Sequence, residues 1–319
     1  DVVLGHPTAL TVGDEVYGHP PTWPRAMRPA DEELADLRVL CEGVRDTFTA
    51  QWNAALKDLR PSAQPSRDAF AETGDLLLLN YPAALHEPER TALLPPHTFL
   101  GSAVREEPRD AQVEAWLDAD EGSVVYVSLG SFLSARSDVL ALIADALRRL
   151  DVRVALATGS APVEELGPLP QGWLVREFLP QVRLLAASSV AVTHGGNNSV
   201  TEALTAGVPL LVLPFSTDQF AGAAAIERTG VGVCLDPNAT TSGDIARVKH
   251  MINLDMIGYD PGGSLDARVD TNAANAALLT QYGAAAATYA PELNLIASSS
   301  TSANTDHWYF LAAGVPAVF

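Results

Sequence analysis

The chain contains little cysteine and few basic residues. Only Cys41 and Cys234 occur among 319 residues, and two distant cysteines do not provide a disulfide framework of the kind found in small secreted domains. We therefore expect a reducing, cytoplasmic environment. The 20 Lys and Arg residues stand against 39 Asp and Glu, so the formal net charge is −19. This acidity argues against nucleic acid or an anionic membrane as a partner.

Long apolar runs and targeting signals are also missing from the sequence. No apolar stretch approaches the ~20 residues that a membrane-spanning helix requires. Residues 1–6 carry neither the basic segment nor the cleavage pattern of a signal peptide. With 47% hydrophobic and 18% charged residues, the composition is typical of a globular protein with a sizeable core and two or more domains.

Short apolar runs alternate with helical patterns in the middle of the chain. We predict strands over residues 124–129, 152–157, 191–193 and 210–213, and a helix over residues 138–150. Such alternation indicates an α/β fold with a Rossmann-type parallel sheet and helices on both faces. Nearer the N-terminus, the pattern predicts a helix over residues 29–56 and a buried strand over residues 75–80.

The most informative segment is the polar stretch 194–199, which separates a predicted strand from a predicted helix over residues 200–206. It contains the pair Gly195 and Gly196, and a glycine pair at this place lets backbone N–H groups face an anion. Asn198 and Ser199 add side-chain donors. Glu202 lies one turn further on, where a carboxylate can accept hydrogen bonds from two ribose hydroxyls. The pattern therefore predicts a site for a nucleotide diphosphate.

Further motifs surround this stretch, namely Phe-x-Pro-Gln upstream and Asp-Gln downstream. Together they resemble the donor-binding signature of the GT-B glycosyltransferases of the UDP-glycosyltransferase superfamily (family 1), and most of all its bacterial macrolide type. The resemblance implies a GT-B-like fold. It also implies inverting transfer of a sugar from a UDP- or dTDP-sugar to a hydroxyl of a small-molecule acceptor, with no cofactor required.

The same resemblance assigns roles to individual residues around the donor. The implied residues are Phe178, Gln181, Ser131, His194, Gly195, Gly196, Asn198, Ser199, Glu202, Asp218 and Gln219. The first two would flank the base. The stretch 194–199 would hold the pyrophosphate, which Ser131 also approaches. Glu202 would hold the ribose, and the Asp-Gln pair would bind sugar hydroxyls. The alternatives are core packing for Phe178 and a capping role for His194.

By resemblance, residues 1–112 form a partial acceptor-side domain and residues 113–241 the nucleotide-sugar donor-binding domain. The family deprotonates its acceptor with a histidine near the first strand. His19 is the candidate, but its Gly- and Pro-rich surroundings favour a loop histidine. We expect the opening of the acceptor domain to be missing, so that the chain transfers little sugar. A nucleotide-sugar-binding chimera without catalysis is the non-enzymatic alternative.

Residues 242–319 carry two motifs of a different kind, Asn-Leu-Asp-Met-Ile-Gly around Asp255 and Thr-Asp-His-x-x-Phe around His307. They resemble the M28 family of zinc aminopeptidases, which implies an α/β fragment and, as an alternative function, metallo-aminopeptidase activity. Asp255 and His307 would be zinc ligands. Catalytic zinc normally has three protein ligands, so we interpret the centre as incomplete and unable to bind zinc tightly. Apolar residues around 251–257 are expected to favour self-association.

Overall fold

The computed structural model of the chain describes residues 2–5, 10–120, 122–130, 136–216, 218–248, 266–270 and 294–298. The chain divides into two units, Asp1–Thr241 and Ser242–Phe319. Both units contain parallel β-strands.

The first unit opens with a small parallel sheet of three strands, β1 (Val2–Gly5), β2 (Leu76–Leu79) and β3 (His97–Phe99), in the order β1-β2-β3. Between β1 and β2 lies the long helix α1 (Asp31–Leu59), and α2 (Pro88–Thr91) precedes β3. The Glu33 carboxylate accepts a hydrogen bond from the backbone N–H of Ala30 at 3.0 Å, which fixes the start of α1. The predicted helix and strand of this region are confirmed, with slightly shifted ends.

A second parallel sheet of six strands forms the rest of the first unit. In chain order its elements are α3 (Ala111–Asp118), β4 (Val124–Ser128), α4 (Ser137–Leu147), β5 (Arg153–Ala157), β6 (Leu174–Arg176), α5 (Gln181–Leu185), β7 (Val190–Thr193), α6 (Asn197–Thr205), β8 (Leu210–Val212), α7 (Asp218–Thr229) and β9 (Gly232–Cys234). The strand order is β6-β5-β4-β7-β8-β9. This is the doubly wound order 3-2-1-4-5-6, which reverses between its first and fourth strands, here β4 and β7.

The predicted strands of this sheet are confirmed, whereas the sequence did not predict its two edge strands. All five residues of β4 are buried, as expected for a parallel strand with both faces covered. No residue of β6 or β9 is fully buried. An edge strand therefore lacks the continuous apolar run by which a central strand is recognised.

Backbone and side-chain contacts join the two sheets of the first unit. The Ser102 hydroxyl donates to the carbonyl of Thr201 in α6 at 3.0 Å. The Arg228 guanidinium in α7 donates to the carbonyl of Leu85 at 2.9 Å. Helices α6 and α7, which flank the carboxyl end of β7 and β8, are thus tied to the N-terminal part of the chain.

A partly buried polar cluster stabilises the turn around α2. Arg90 pairs with Glu15 through two hydrogen bonds of 2.6 and 2.8 Å. The Thr91 hydroxyl donates to the carbonyl of Glu87, so its oxygen accepts from Nδ1 of His86 at 2.7 Å. Nε2 of His86 then faces Nη1 of Arg90 at 3.4 Å. Burial, together with the Arg90 charge, lowers the pKa of His86 to about 4.

In the second unit the described elements are the short helix α8 (Ser242–Ala246) and two parallel strands, β10 (Asp266–Asp270) and β11 (Asn294–Ser298). The predicted zinc ligands Asp255 and His307 lie outside the described residues. Across the ranges given above, no helix has both the length and the apolar character needed to cross a bilayer.

Candidate functional site

A cleft of about 280 Å³ opens at the carboxyl ends of β4, β5 and β6, next to the first turn of α6. The residues that line it are Arg105, Tyr126, Ser128, Gly130, Ala157, Gly159, Glu177, Phe178, Leu179, Gln181, Asn198 and Ser199. Four of them, Phe178, Gln181, Asn198 and Ser199, are among the donor-binding residues predicted from the sequence. The structure therefore brings residues predicted for the base and for the pyrophosphate to one cavity.

The loop between β7 and α6 has room only for glycine at two positions. Gly195 has φ +88°, a conformation that other residues rarely adopt. A Cβ atom at Gly196 would lie 2.5 Å from Nε2 of His194. Close packing of the imidazole against the loop therefore explains the second glycine, and backbone geometry explains the first.

His194 lies at the point where the strand order reverses. It follows β7, and its ring packs against Gly130, which follows β4; a Cβ atom at Gly130 would lie 2.8 Å from Cε1 of the imidazole. Ligands of doubly wound sheets bind in the crevice at this switch point. Burial lowers the pKa of His194, with a partial opposing effect from the charge of Asp218, which favours the neutral ring.

Helix α6 presents its N-terminal turn to the cleft. It begins at Asn197, with Gly196 at the N-cap and no side-chain cap, so the first backbone N–H groups have no acceptor within the helix. The sequence predicted a start at residue 200. Because the helix begins three residues earlier, Asn198 and Ser199 belong to its first turn, and the positive end of the helix dipole lies beside their side chains.

The opposite side of the cleft is lined by an aromatic ring and a side-chain amide. Phe178 is 65% exposed, so the alternative of core packing for this residue is wrong. Gln181 is buried at the start of α5. The hydroxyl of Tyr126 donates to Oε1 of Gln181 at 3.3 Å, and burial raises the pKa of this tyrosine. An open aromatic ring beside an oriented amide is suited to a flat, polar base.

Glu202 is buried, and both of its carboxylate oxygens have partners. Nε2 of Gln181 donates to Oε2 at 2.6 Å. Nη1 of Arg105 lies 3.1 Å from Oε1, and the Glu202 side chain is only 5% exposed. The sequence predicted a carboxylate available to ribose, and the structure shows one that is also anchored by an amide and a guanidinium.

Arg105 and Tyr126 are cleft residues that the sequence reasoning missed. Arg105 lies in a charged stretch whose composition indicates only a linker. Tyr126 stands inside an apolar strand, where an aromatic residue normally indicates core packing. The one usable signal was the hydroxyl of Tyr126, because a buried phenol requires a hydrogen-bond partner.

Asp218 and Gln219 begin α7, which packs beside the glycine loop. A Cβ atom at Gly195 would lie 3.5 Å from the backbone oxygen of Gln219. The side-chain oxygen of Gln219 accepts from the backbone N–H groups of Phe215 and Ser216 at 2.8 and 3.3 Å. It therefore holds the turn that follows β8, a role the sequence did not predict.

The other predicted donor residues that the structure describes do not line the cleft: His194, Gly195, Gly196, Glu202, Asp218 and Gln219. Ser131 lies outside the described residues, as do Asp255 and His307. His19 lies in a loop, where its backbone N–H donates to the carbonyl of Val16 at 3.0 Å. Within the described ranges, no group of three or more His, Cys, Asp or Glu residues is arranged to hold a metal ion.

Comparison with known proteins identifies the family. The family model for UDP-glucoronosyl and UDP-glucosyl transferases matches residues 41–257, more than half of the chain. The chain belongs to this family. A second match, to the peptidase family M28, covers residues 236–319, about a quarter of the chain.

Several curated and solved proteins are similar to this glycosyltransferase family member. The uncharacterized UDP-glucosyltransferase YojK of Bacillus subtilis is 28% identical over 189 residues, which is 59% of this chain and 44% of the relative. The 4'-demethylrebeccamycin synthase of Lentzea aerocolonigenes is 33% identical over 207 residues, 60% of this chain and 48% of the relative. The chain thus spans about half the length of the curated relatives it matches.

The solved structures establish the fold. The crystal structure of the glycotransferase of kitacinnamycin superposes with a TM-score of 0.54 at 25% identity, over 71% of this chain and 58% of that chain. The spinosyn forosaminyltransferase SpnP superposes with a TM-score of 0.51 at 22% identity, over 63% of this chain and 50% of that chain. The predicted α/β, GT-B-like fold is confirmed.

Proposed function

We propose that the cleft binds the nucleoside diphosphate of a UDP- or dTDP-sugar. The observation that supports this most is the meeting of Phe178, Gln181, Asn198 and Ser199 around one cavity at the switch point of the sheet. The base stacks on the exposed Phe178 ring and is oriented by the Gln181 amide. The diphosphate lies against the first turn of α6, beside His194.

The proposed reaction is an inverting transfer of the sugar to a hydroxyl of a small-molecule acceptor. Negative charge develops on the diphosphate as the glycosidic bond breaks. The N–H groups of the first turn of α6, together with the Asn198 and Ser199 side chains, stabilise that charge. A metal ion is not required in this proposal, because fixed dipoles supply the stabilisation on an otherwise acidic protein with a net charge of −19.

Transfer to the acceptor requires a general base, and His19 is the candidate base named from the sequence. We still predict that this chain transfers little sugar, because loss of a general base typically lowers the rate about 10²–10⁴-fold. An assay with UDP- and dTDP-sugars and phenolic or macrolide acceptors tests it. Rapid turnover that disappears in His19→Ala would show that His19 is the base.

The donor site is tested by titration calorimetry with UDP and with dTDP. Gly196→Ala places a methyl group 2.5 Å from Nε2 of His194, which forces the ring or the loop to move and should weaken binding about tenfold or more. Gly43→Ala is the matched control, because a Cβ atom there meets nothing within 4 Å. Absence of UDP and dTDP binding by the unmodified protein would refute the proposed function.

A zinc aminopeptidase is the second candidate function, and the match of residues 236–319 to the M28 family supports it. A nucleotide-sugar-binding chimera without catalysis is the third, distinguished from the first by binding without turnover. Self-association through residues 242–319, a cytoplasmic location and the absence of nucleic acid and membrane partners stay predictions from the sequence.

A further inference from the structure

Arg105 connects the ribose side of the cleft to the helix that carries Gln181. Its guanidinium lies 3.1 Å from Oε1 of Glu202, and its Nε and Nη2 donate to Oε1 of Glu107 at 3.1 and 2.9 Å. The other oxygen of Glu107 accepts from the backbone N–H of Val182 at 2.9 Å. Arg105 is therefore held from two sides.

The pair formed by Arg105 and Glu202 is unequally accessible. The Arg105 side chain is 51% exposed and lines the cleft, whereas the Glu202 side chain is 5% exposed. Glu202 itself does not line the cleft, so a ligand in the cleft meets the Arg105 guanidinium on its way to the Glu202 carboxylate. Because Gln181 occupies the other oxygen of Glu202 at 2.6 Å, the carboxylate meets the ligand on the side shared with Arg105.

A carboxylate only accepts hydrogen bonds and a guanidinium only donates them, whereas a hydroxyl does both. A vicinal diol placed beside this pair can donate to Glu202 and accept from Arg105 at the same time. A sugar that lacks one of the two hydroxyls leaves a CH₂ group against a charged pair that has been partly removed from water. Both effects favour the diol.

We propose that Arg105 is a specificity-determining residue which, together with Glu202, recognises the ribose diol and selects ribonucleoside over 2′-deoxyribonucleoside diphosphates. The inference rests on the proposed function, and it deepens that function by favouring a UDP-sugar over a dTDP-sugar. Glu107 is a positioning residue in this scheme, because it orients the guanidinium and holds the start of α5 without lining the cleft.

The test is titration calorimetry of the full chain with UDP and with 2′-deoxyuridine 5′-diphosphate, which differ only in one hydroxyl. The unmodified protein should bind UDP about tenfold more tightly, as expected for one charge-assisted hydrogen bond. In Arg105→Gln the preference should fall to about twofold, mainly through weaker UDP binding. Arg109→Gln, an exposed arginine of the same segment, is the matched control and should retain the full preference.

The outcomes separate this inference from the proposed function. If Arg105→Gln weakens both ligands equally, or changes neither affinity, the role of Arg105 is overturned while nucleotide binding stands. The same holds if the unmodified protein binds the two ligands equally well. If the unmodified protein binds neither ligand, the proposed function fails and this inference fails with it. Glu107→Gln should reduce the preference less than Arg105→Gln, because the guanidinium keeps its contact with Glu202.

Discussion

Replacing Glu202 by alanine tests the ribose assignment most directly. In the folded chain the Glu202 side chain is 5% exposed; its carboxylate accepts a hydrogen bond from Gln181 at 2.6 Å and forms an ion pair with Arg105 at 3.1 Å. A ribose that donates to this carboxylate makes a hydrogen bond to a charged group in a nearly dry setting. Loss of such a bond costs about 1–3 kcal/mol, so the dissociation constant for UDP should rise about 5- to 150-fold.

The same substitution should also lower the free energy of unfolding. It leaves the Nε2 group of Gln181 buried without its carboxylate partner, a loss of about 1–3 kcal/mol. Arg105 contributes less to this loss, because its side chain is half exposed and can be hydrated. Urea denaturation of the variant measures this effect separately from UDP binding.

Titration calorimetry at fixed ionic strength, on samples shown to be folded by circular dichroism, provides the binding measurement. Glu114→Ala is the matched control: Glu114 pairs with Arg183 at 2.8 Å on the surface, at 31% side-chain exposure, and does not line the cleft. Its affinity for UDP should be unchanged. Unaltered UDP affinity in folded Glu202→Ala, with Gly196→Ala impaired, would refute the reasoning about the ribose.

Two further predictions concern other parts of the chain. Because the pKa of His86 is about 4 in the folded state and about 6.5 when unfolded, the unfolded chain binds an extra proton between these values. The stability that the neutral His86 side chain contributes is therefore present above pH 6.5 and is lost as the pH falls towards 4. The free energy of unfolding should fall by at most about 3 kcal/mol over this range. Urea denaturation should show a smaller loss of unfolding free energy between pH 7 and pH 4.5 in His86→Asn than in the unmodified protein. An equal loss in the two proteins would contradict the lowered pKa. In the tail, dialysed protein should retain less than one zinc per chain; two retained equivalents, with leucine p-nitroanilide hydrolysis abolished by chelator and by His307→Ala, would support the peptidase function instead.

The central strands and the glycine loop could be predicted because their physical causes are local. A parallel strand covered on both faces requires a continuous apolar run, and β4 has one. A tight turn before a helix requires glycine, and Gly195 with its positive φ satisfies that requirement. The positions of these elements therefore follow from the order of residues along the chain.

The network around Glu202 could not be predicted because its cause is not local. Arg105 reaches Glu202 across 97 positions of sequence, and nothing in the charged stretch distinguishes it from Arg109. The start of α6 was also misplaced, because Asn197 and Ser199 are weak helix formers whose helical conformation depends on packing at the helix N-terminus.

The reversal of strand order at β4 and β7 has a consequence for the folding of the chain. Gly130 and His194 pack against each other, yet β5, β6 and their helices lie between them in the chain and are synthesised before His194. Pairing of distant segments is slow because the loop-closure entropy must be overcome before the contact is formed. We therefore expect the cleft to assemble late, after β7 has joined β4, and a ligand that binds only the assembled cleft should slow unfolding more than it speeds folding.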